Sequence, residues 1–283
     1  MGSTWIAILF ALFVWWFATG LILMAVKYCD RLGGDAHRMS VIATLPVLVL
    51  GCWAFIETLY TTGAWGSYIA FLSSITIWGW FELAFLAGVL TGPVTRHCPP
   101  DTPAWERFVR AWGTVAYSEM ALVAVLCAMV LAMGHASNTV GVWTFIILYF
   151  ARVSAKLNLH FGVPYINLEF IPDRLTYLNS HFRVGAVSRL FPVSITFLTL
   201  ALACWMERLY WSENGSAEAV GFALLASLTA LALLEHWLMV IPVGDAKLWR
   251  WMVAHLKPSE QRKREDRINA VSPASMRENA HGL

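Results

Sequence analysis

Seven apolar runs of roughly 20 residues dominate this chain, at about 4–26, 40–60, 67–90, 112–133, 139–157, 189–208 and 218–241. A helix needs roughly 20 apolar residues to cross the hydrocarbon core of a bilayer. Runs of that length satisfy their own backbone in lipid only as helices. The sequence therefore predicts an all-α, polytopic membrane protein with about seven transmembrane helices. Charged residues make up 13% of the chain, against about 25% for soluble domains. The helical domain is expected over 1–256. The polar segment 257–283 reads as a cytoplasmic tail without fixed structure. The first run lacks a basic flank and is too long for a signal-peptide core, so it reads as a retained span.

Orientation follows from the basic residues. Nineteen of the twenty Lys and Arg fall on one side of these spans. Lys27, Arg31 and Arg38 follow the first span, and Arg96, Arg107 and Arg110 follow the third. Arg152, Lys156, Arg174, Arg183 and Arg189 lie at or after the end of the fifth. The rest run from Lys247 to Arg277, leaving Arg208 opposite. This positive-inside pattern places the N-terminus outside and the C-terminus in the cytoplasm. Longer cytoplasmic segments account for part of the excess. Strict alternation of short external turns with long internal loops supports the same orientation independently. Many of the fifteen Trp fit interfacial belts, with Trp65, Trp143 and Trp211 outside and Trp112, Trp249 and Trp251 inside.

A net charge of +2 points to no nucleic-acid partner. The bilayer is the partner the composition demands. The five cysteines show no C-x-x-C and read as reduced and structural. No P-loop, dinucleotide fingerprint or nucleophile elbow occurs, and the spans lack the interruptions of many transporters.

Ionisable residues within spans are costly, and each is a functional hypothesis by default. Glu82, Glu119, Glu235 and His236 lie at similar depth, roughly 8–12 Å inside the cytoplasmic boundary at about 1.5 Å per helical residue. Arg152 and Lys156 are four residues apart and share a helix face. Two readings stay open. These groups form a polar pocket open to the inner leaflet, or they form structural ion pairs that lock the bundle.

The segment 157–188 mixes aromatic and aliphatic residues with polar ones and is broken by Pro164 and Pro172. It is too apolar for a solvated linker and too interrupted to span, so it should lie at the cytoplasmic interface or fold back under the bundle. His160, Glu169, Asp173 and His181 are its candidate site residues. His160, His181 and His236 are also metal candidates, for zinc, iron or the metal of a tetrapyrrole. Their spacing matches no metal motif. Adjacent Glu235 and His236 point about 100° apart on a helix.

The segments FELAFLAGVLTGP (81–93), ARVSAKLNLHFGVPYINLEFIPDRLTYLNSHF (151–182) and EHWLMVIPVGDAKLWRWM (235–252) resemble the PuhE family, photosynthetic complex assembly protein 2 of purple bacteria. The resemblance covers nearly the whole chain. It implies a multi-pass protein of the bacterial inner membrane, cytoplasmic or intracytoplasmic, encoded among photosynthesis genes. It also implies a role in bacteriochlorophyll supply or in assembly of reaction-centre and light-harvesting complexes. A bacteriochlorophyll-type tetrapyrrole is the ligand expected on that basis. Reaction-centre subunits, light-harvesting subunits or pigment-synthesis enzymes are the expected partners. It brings no catalytic residue set. Two alternatives remain: a membrane-embedded enzyme (a hydrolase, hydratase or metal-dependent enzyme) acting on a lipid or isoprenoid pigment, and a transporter of a pigment precursor. In the enzyme reading Glu82, Glu119 or His236 would serve as acid, base or ligand.

Overall fold

A computed structural model describes residues 3–166 and 171–241. Glu169 and the segment 257–283 lie outside the described residues. Among the described residues eight α-helices form in chain order: α1 (Thr4–Leu32), α2 (Ala36–Ala43), α3 (Leu45–Thr58), α4 (Ala64–Leu86), α5 (Ala104–Met133), α6 (Val140–Phe161), α7 (Leu190–Trp211) and α8 (Ala217–Leu238). With α2 and α3 taken together, seven helical stretches among the described residues are long and apolar enough to cross a membrane.

The differences from the apolar runs have local causes. The second span is two helices. Pro46 stands at the start of α3 and has no N–H to donate to the preceding turn. The Thr44 hydroxyl instead donates to the Ser40 and Val41 carbonyls at 2.9 and 3.1 Å. The third span stops at Leu86 rather than residue 90, and the chain turns at Gly88, whose φ of +70° is a conformation glycine adopts without strain. The next helix begins at Ala104, ahead of residue 112, because its first turns are amphipathic rather than apolar. The fifth continues past residue 157 to Phe161.

Helices α4 and α8 are the most buried spans and pack against each other and against α1 and α6. Phe71, Phe145, Leu122, Leu224 and Leu228 fill the centre. By contrast α1, α3 and α7 expose Leu9, Phe13, Val49, Trp53, Phe197 and Leu200, the surface expected toward lipid. Small and hydroxyl residues bring the backbones together, as in membrane bundles. Ser74 donates to the Gly141 carbonyl at 2.8 Å, and Ser67 donates to the Ala217 carbonyl at 3.0 Å.

At one end of the bundle the long connections meet. A 3-10 helix (Asp173–His181) and a parallel bridge between Val163 and Val184 fold the α6–α7 segment back under the helices. Arg174 reaches the Gly34 carbonyl at 2.8 Å. Arg107 donates to the carbonyls of Ser180 and Phe182 at 3.1 and 3.2 Å. Tyr165 N–H donates to the Met239 carbonyl at 3.1 Å.

Candidate functional site

Glu82 on α4, Glu119 on α5, and Arg152 and Lys156 on α6 converge in one cluster. Arg152 donates through Nη1 to Glu82 and through Nε to Glu119 Oε1 at 3.0 Å. Lys156 Nζ donates to the same Glu119 oxygen at 2.6 Å. Arg152 Nη2 also reaches the Ser118 hydroxyl at 3.4 Å. Helical spacing makes this possible, because Arg152 and Lys156 are i,i+4 neighbours on one face of α6. The Glu119 and Arg152 side chains are only 2% and 9% exposed. Charges so far from water are tolerated because each has an opposite charge within hydrogen-bonding reach. Aromatic faces add to this. The Arg152 guanidinium lies 4.8 Å from the Phe85 ring and 5.8 Å from Trp78, and Lys156 Nζ lies 4.4 Å from Phe85.

Two cavities flank the cluster. The first, about 280 Å³, is lined by Trp15, Ile22, Trp78, Glu82, Arg152 and Glu235 among others. Glu235 accepts from the Trp15 indole N–H at 3.0 Å. The second, about 340 Å³, is lined by Phe85, Phe108, Trp112, Glu119, Lys156, His160 and His181 among others. The cluster thus forms polar wall in both, while the remaining lining is largely apolar.

The ionisable residues expected at one depth do not all join one group. His236 turns away from Glu235 and is buried, as their angular offset requires. Its Nδ1–H donates to the Ala232 carbonyl at 2.8 Å, so Nε2 is free to accept from the Ser154 hydroxyl at 2.9 Å. The three candidate histidines do not meet at one point. His160 packs edge-on to Phe108 at 5.6 Å between centroids, beside His181 at the second cavity, while His236 belongs to the α6–α8 contact. Among the described residues no three His, Cys, Asp or Glu side chains converge as metal ligands. Asp173 is exposed at the start of the 3-10 helix. His181 is buried, and that burial holds its pKa below the ordinary 6.5.

Some of the polar framework lacked a sequence signal. Asn158, grouped with the loop by its apolar-polar mixture, is fully buried inside α6. It donates to Ser194 Oγ at 2.9 Å and accepts from Ser188 Oγ at 3.1 Å. His37, which looks like an ordinary loop residue in the sequence, is buried and lies 3.0 Å from Asp30. An i,i+7 spacing across a Gly-Gly turn (Gly33–Gly34) joins that pair and is hard to anticipate.

The fold and this site define a multi-pass helical membrane protein with a buried ion network between two cavities. The chain belongs to the family described as "Protein of unknown function (DUF3623)", matched over residues 1–260. It is similar to the "Uncharacterized 30.4 kDa protein in puhA 5'region" of Rhodobacter capsulatus, 48% identical over 263 residues, covering 92% of this chain and 95% of that protein. No solved structure matches it.

Proposed function

We propose that this chain is an integral-membrane factor in the assembly of photosynthetic complexes or in the regulation of bacteriochlorophyll supply. It engages a pigment or a partner subunit at the cytoplasmic leaflet, through the charged cluster and its cavities. The observation that carries this reading is the relative's printed name, which puts its gene in the 5' region of puhA. The PuhE resemblance of segments 81–93, 151–182 and 235–252 implies the same photosynthetic setting. The geometry favours binding over group chemistry. Glu82 and Glu119 are held by Arg152 and Lys156, so neither is poised as a general acid or base. Cavities of about 280 and 340 Å³ sit near the lower end of ligand-pocket volumes, roughly 300–1,000 Å³. They suit a compact ligand or one edge of a larger pigment. The positive-inside distribution supports an inner-membrane orientation with the N-terminus outside, the site facing the cytoplasmic leaflet, and 257–283 as a cytoplasmic tail.

Deleting the gene in a photosynthetic host tests this. Normal pigment precursors with depleted reaction-centre or light-harvesting complexes support the proposal. An accumulated biosynthetic intermediate would transfer the role to an enzymatic step, and unchanged pigments and complexes would remove it. Changing Glu82, Glu119 and Glu235 together to Gln separates the two readings of the cluster. Normal protein level with lost function marks a binding site; loss of the protein marks structural ion pairs.

A further inference from the structure

Glu82, Glu119 and Glu235 share one depth, but only the first two meet cations among the described residues. Arg152 and Lys156 balance Glu82 and Glu119. Glu235 is left over. Its carboxylate accepts from the Trp15 indole N–H at 3.0 Å. Among the described residues no Lys, Arg or His nitrogen lies within 4 Å of it. Unlike Glu119, Glu235 is exposed, so a group entering from the cavity or the bilayer can reach it. Glu235 on α8 and Trp15 on α1 both line the first cavity, of about 280 Å³. An indole N–H satisfies a lone pair but does not neutralise a charge. A lone carboxylate at this depth is costly until a counter-charge meets it.

The charge balance of the cavity wall narrows the choice of ligand. Glu82, Arg152 and Glu235 line it together, which leaves the wall one negative charge in excess. Arg152 demands no anion, because Glu82 and Glu119 already hold it. An anionic head would face two carboxylates. A hydroxyl would leave the charge of Glu235 uncompensated. An ammonium neutralises it and donates to it at once. Trp15 and Trp78 line the same cavity, and indole rings attract cations. Trp78 already has the Arg152 guanidinium 5.8 Å from its centroid. Ile75, Ile147 and Leu228 supply an apolar wall for the remainder of the molecule. From this we infer that the first cavity is a binding site for a lipophilic ammonium ion paired with Glu235, an inference that rests on reading the charged cluster and its cavities as a binding region.

The test uses the full-length protein in phosphatidylcholine nanodiscs and three probes sharing one diazirine-bearing C12 chain: the amine, the alcohol and the carboxylate. Cross-linked peptides are mapped by mass spectrometry. Selective labelling of 75–86, 147–155 and 228–235 by the amine, competed by excess unlabelled dodecylamine, is the expected result. Glu235→Gln keeps an acceptor for Trp15 but removes the charge. It should reduce labelling about tenfold, the difference between a hydrogen bond to a charged group and one to a neutral group. Glu235→Asp keeps the charge and should retain more labelling than Glu235→Gln, and Glu106→Gln, at an exposed site, should match the parent. Competition by added phosphatidylethanolamine would show that a lipid headgroup supplies the ammonium. Competition by dodecylamine alone would show that a free amine does, and either result supports the site. Equal labelling by all three heads overturns the inference, as does preference for the alcohol or carboxylate, or undiminished labelling of Glu235→Gln. No labelling of these peptides above the lipid-facing background also overturns it. The comparison of heads on the parent protein decides the matter even if Glu235→Gln fails to fold. None of these outcomes depends on photosynthetic complexes, so this site can fail while the assembly role stands, and the reverse.

Discussion

Replacing Arg152 with Met is the most direct probe of the ion network. The arginine spans Glu82, Glu119 and Ser118 and is 9% exposed. Methionine retains much of the apolar stem, so the main change is electrostatic. Glu119 keeps Lys156, but Glu82 loses its cation. Stranding one member of a buried pair costs about 3–5 kcal/mol. At roughly 2–4 °C per kcal/mol for large domains, the unfolding midpoint should fall by roughly 6–20 °C. Thermal unfolding in nanodiscs, followed by circular dichroism and checked by titration with a denaturing detergent, measures this. Arg110→Ala is the control. Its partner Glu106 lies 2.7 Å away, but the two side chains are 42% and 50% exposed, so the expected loss is only about 0.3–0.5 kcal/mol. Adding Glu82→Gln to Arg152→Met should recover part of the loss, because the stranded charge is then gone. If Arg152→Met costs no more than Arg110→Ala, or if Glu82→Gln makes the double variant worse additively, the network does not hold the bundle as described.

Three further outcomes follow from separate parts of the structure. Gly92→Ala would press a Cβ into the backbone of Gly113 and Thr114 on α5 and should cost about 1–3 kcal/mol. Gly79→Ala, where the new Cβ would meet only Ile22 at 3.5 Å, should be neutral or stabilising by about 0.5–1 kcal/mol in the same assay. Burial disfavours the charged form of His181, so its folded pKa lies below 6.5 and the unfolded chain takes up the proton first. Stability contributed by this residue is present above that value and declines as pH falls through it. Unfolding midpoints at about pH 7.5 and 5.5 should therefore differ less in His181→Phe than in the parent; an equal or larger difference would refute the assignment. Single cysteines at Ser137 and Asn214, both exposed turn residues, should react with an impermeant maleimide from the outside of intact cells. Reaction only after the cytoplasmic face is opened would reverse the proposed topology.

Much of the architecture was readable because lipid leaves few choices. Apolar length alone predicts the seven helical stretches, since a chain crossing hydrocarbon must satisfy its backbone within each segment. Bilayer cost likewise singled out Glu82, Glu119, Arg152 and Lys156 before any contact was known. Their i,i+4 spacing on α6 also foretold that the two cations would act together. Less of the loop was readable. Its mixed composition showed that 157–188 was neither linker nor span, but not that α6 runs on to Phe161 or that Asn158 is buried among serines. Those outcomes depend on hydroxyl partners from α7 and the turn just before it, which have no sequence signature of their own.

The number of spans, membrane character and the identity of the buried charges were thus determined by the sequence alone, because each follows from a residue's free energy in hydrocarbon. Partner choice was a tertiary decision. Equivalent depth did not draw Glu235 and His236 into the ion cluster: their directions on α8 differ by about 100°, sending one to Trp15 and the other to Ser154. Only the packing of α4, α5 and α6 joined two acids to two cations. The same packing, with the α6–α7 segment folded beneath it, set Phe85, Phe108, His160 and His181 around the second cavity. Depth is a property of position along the chain, but whether a buried charge meets a counter-charge, a hydroxyl or an empty space depends on the azimuth of neighbouring helices.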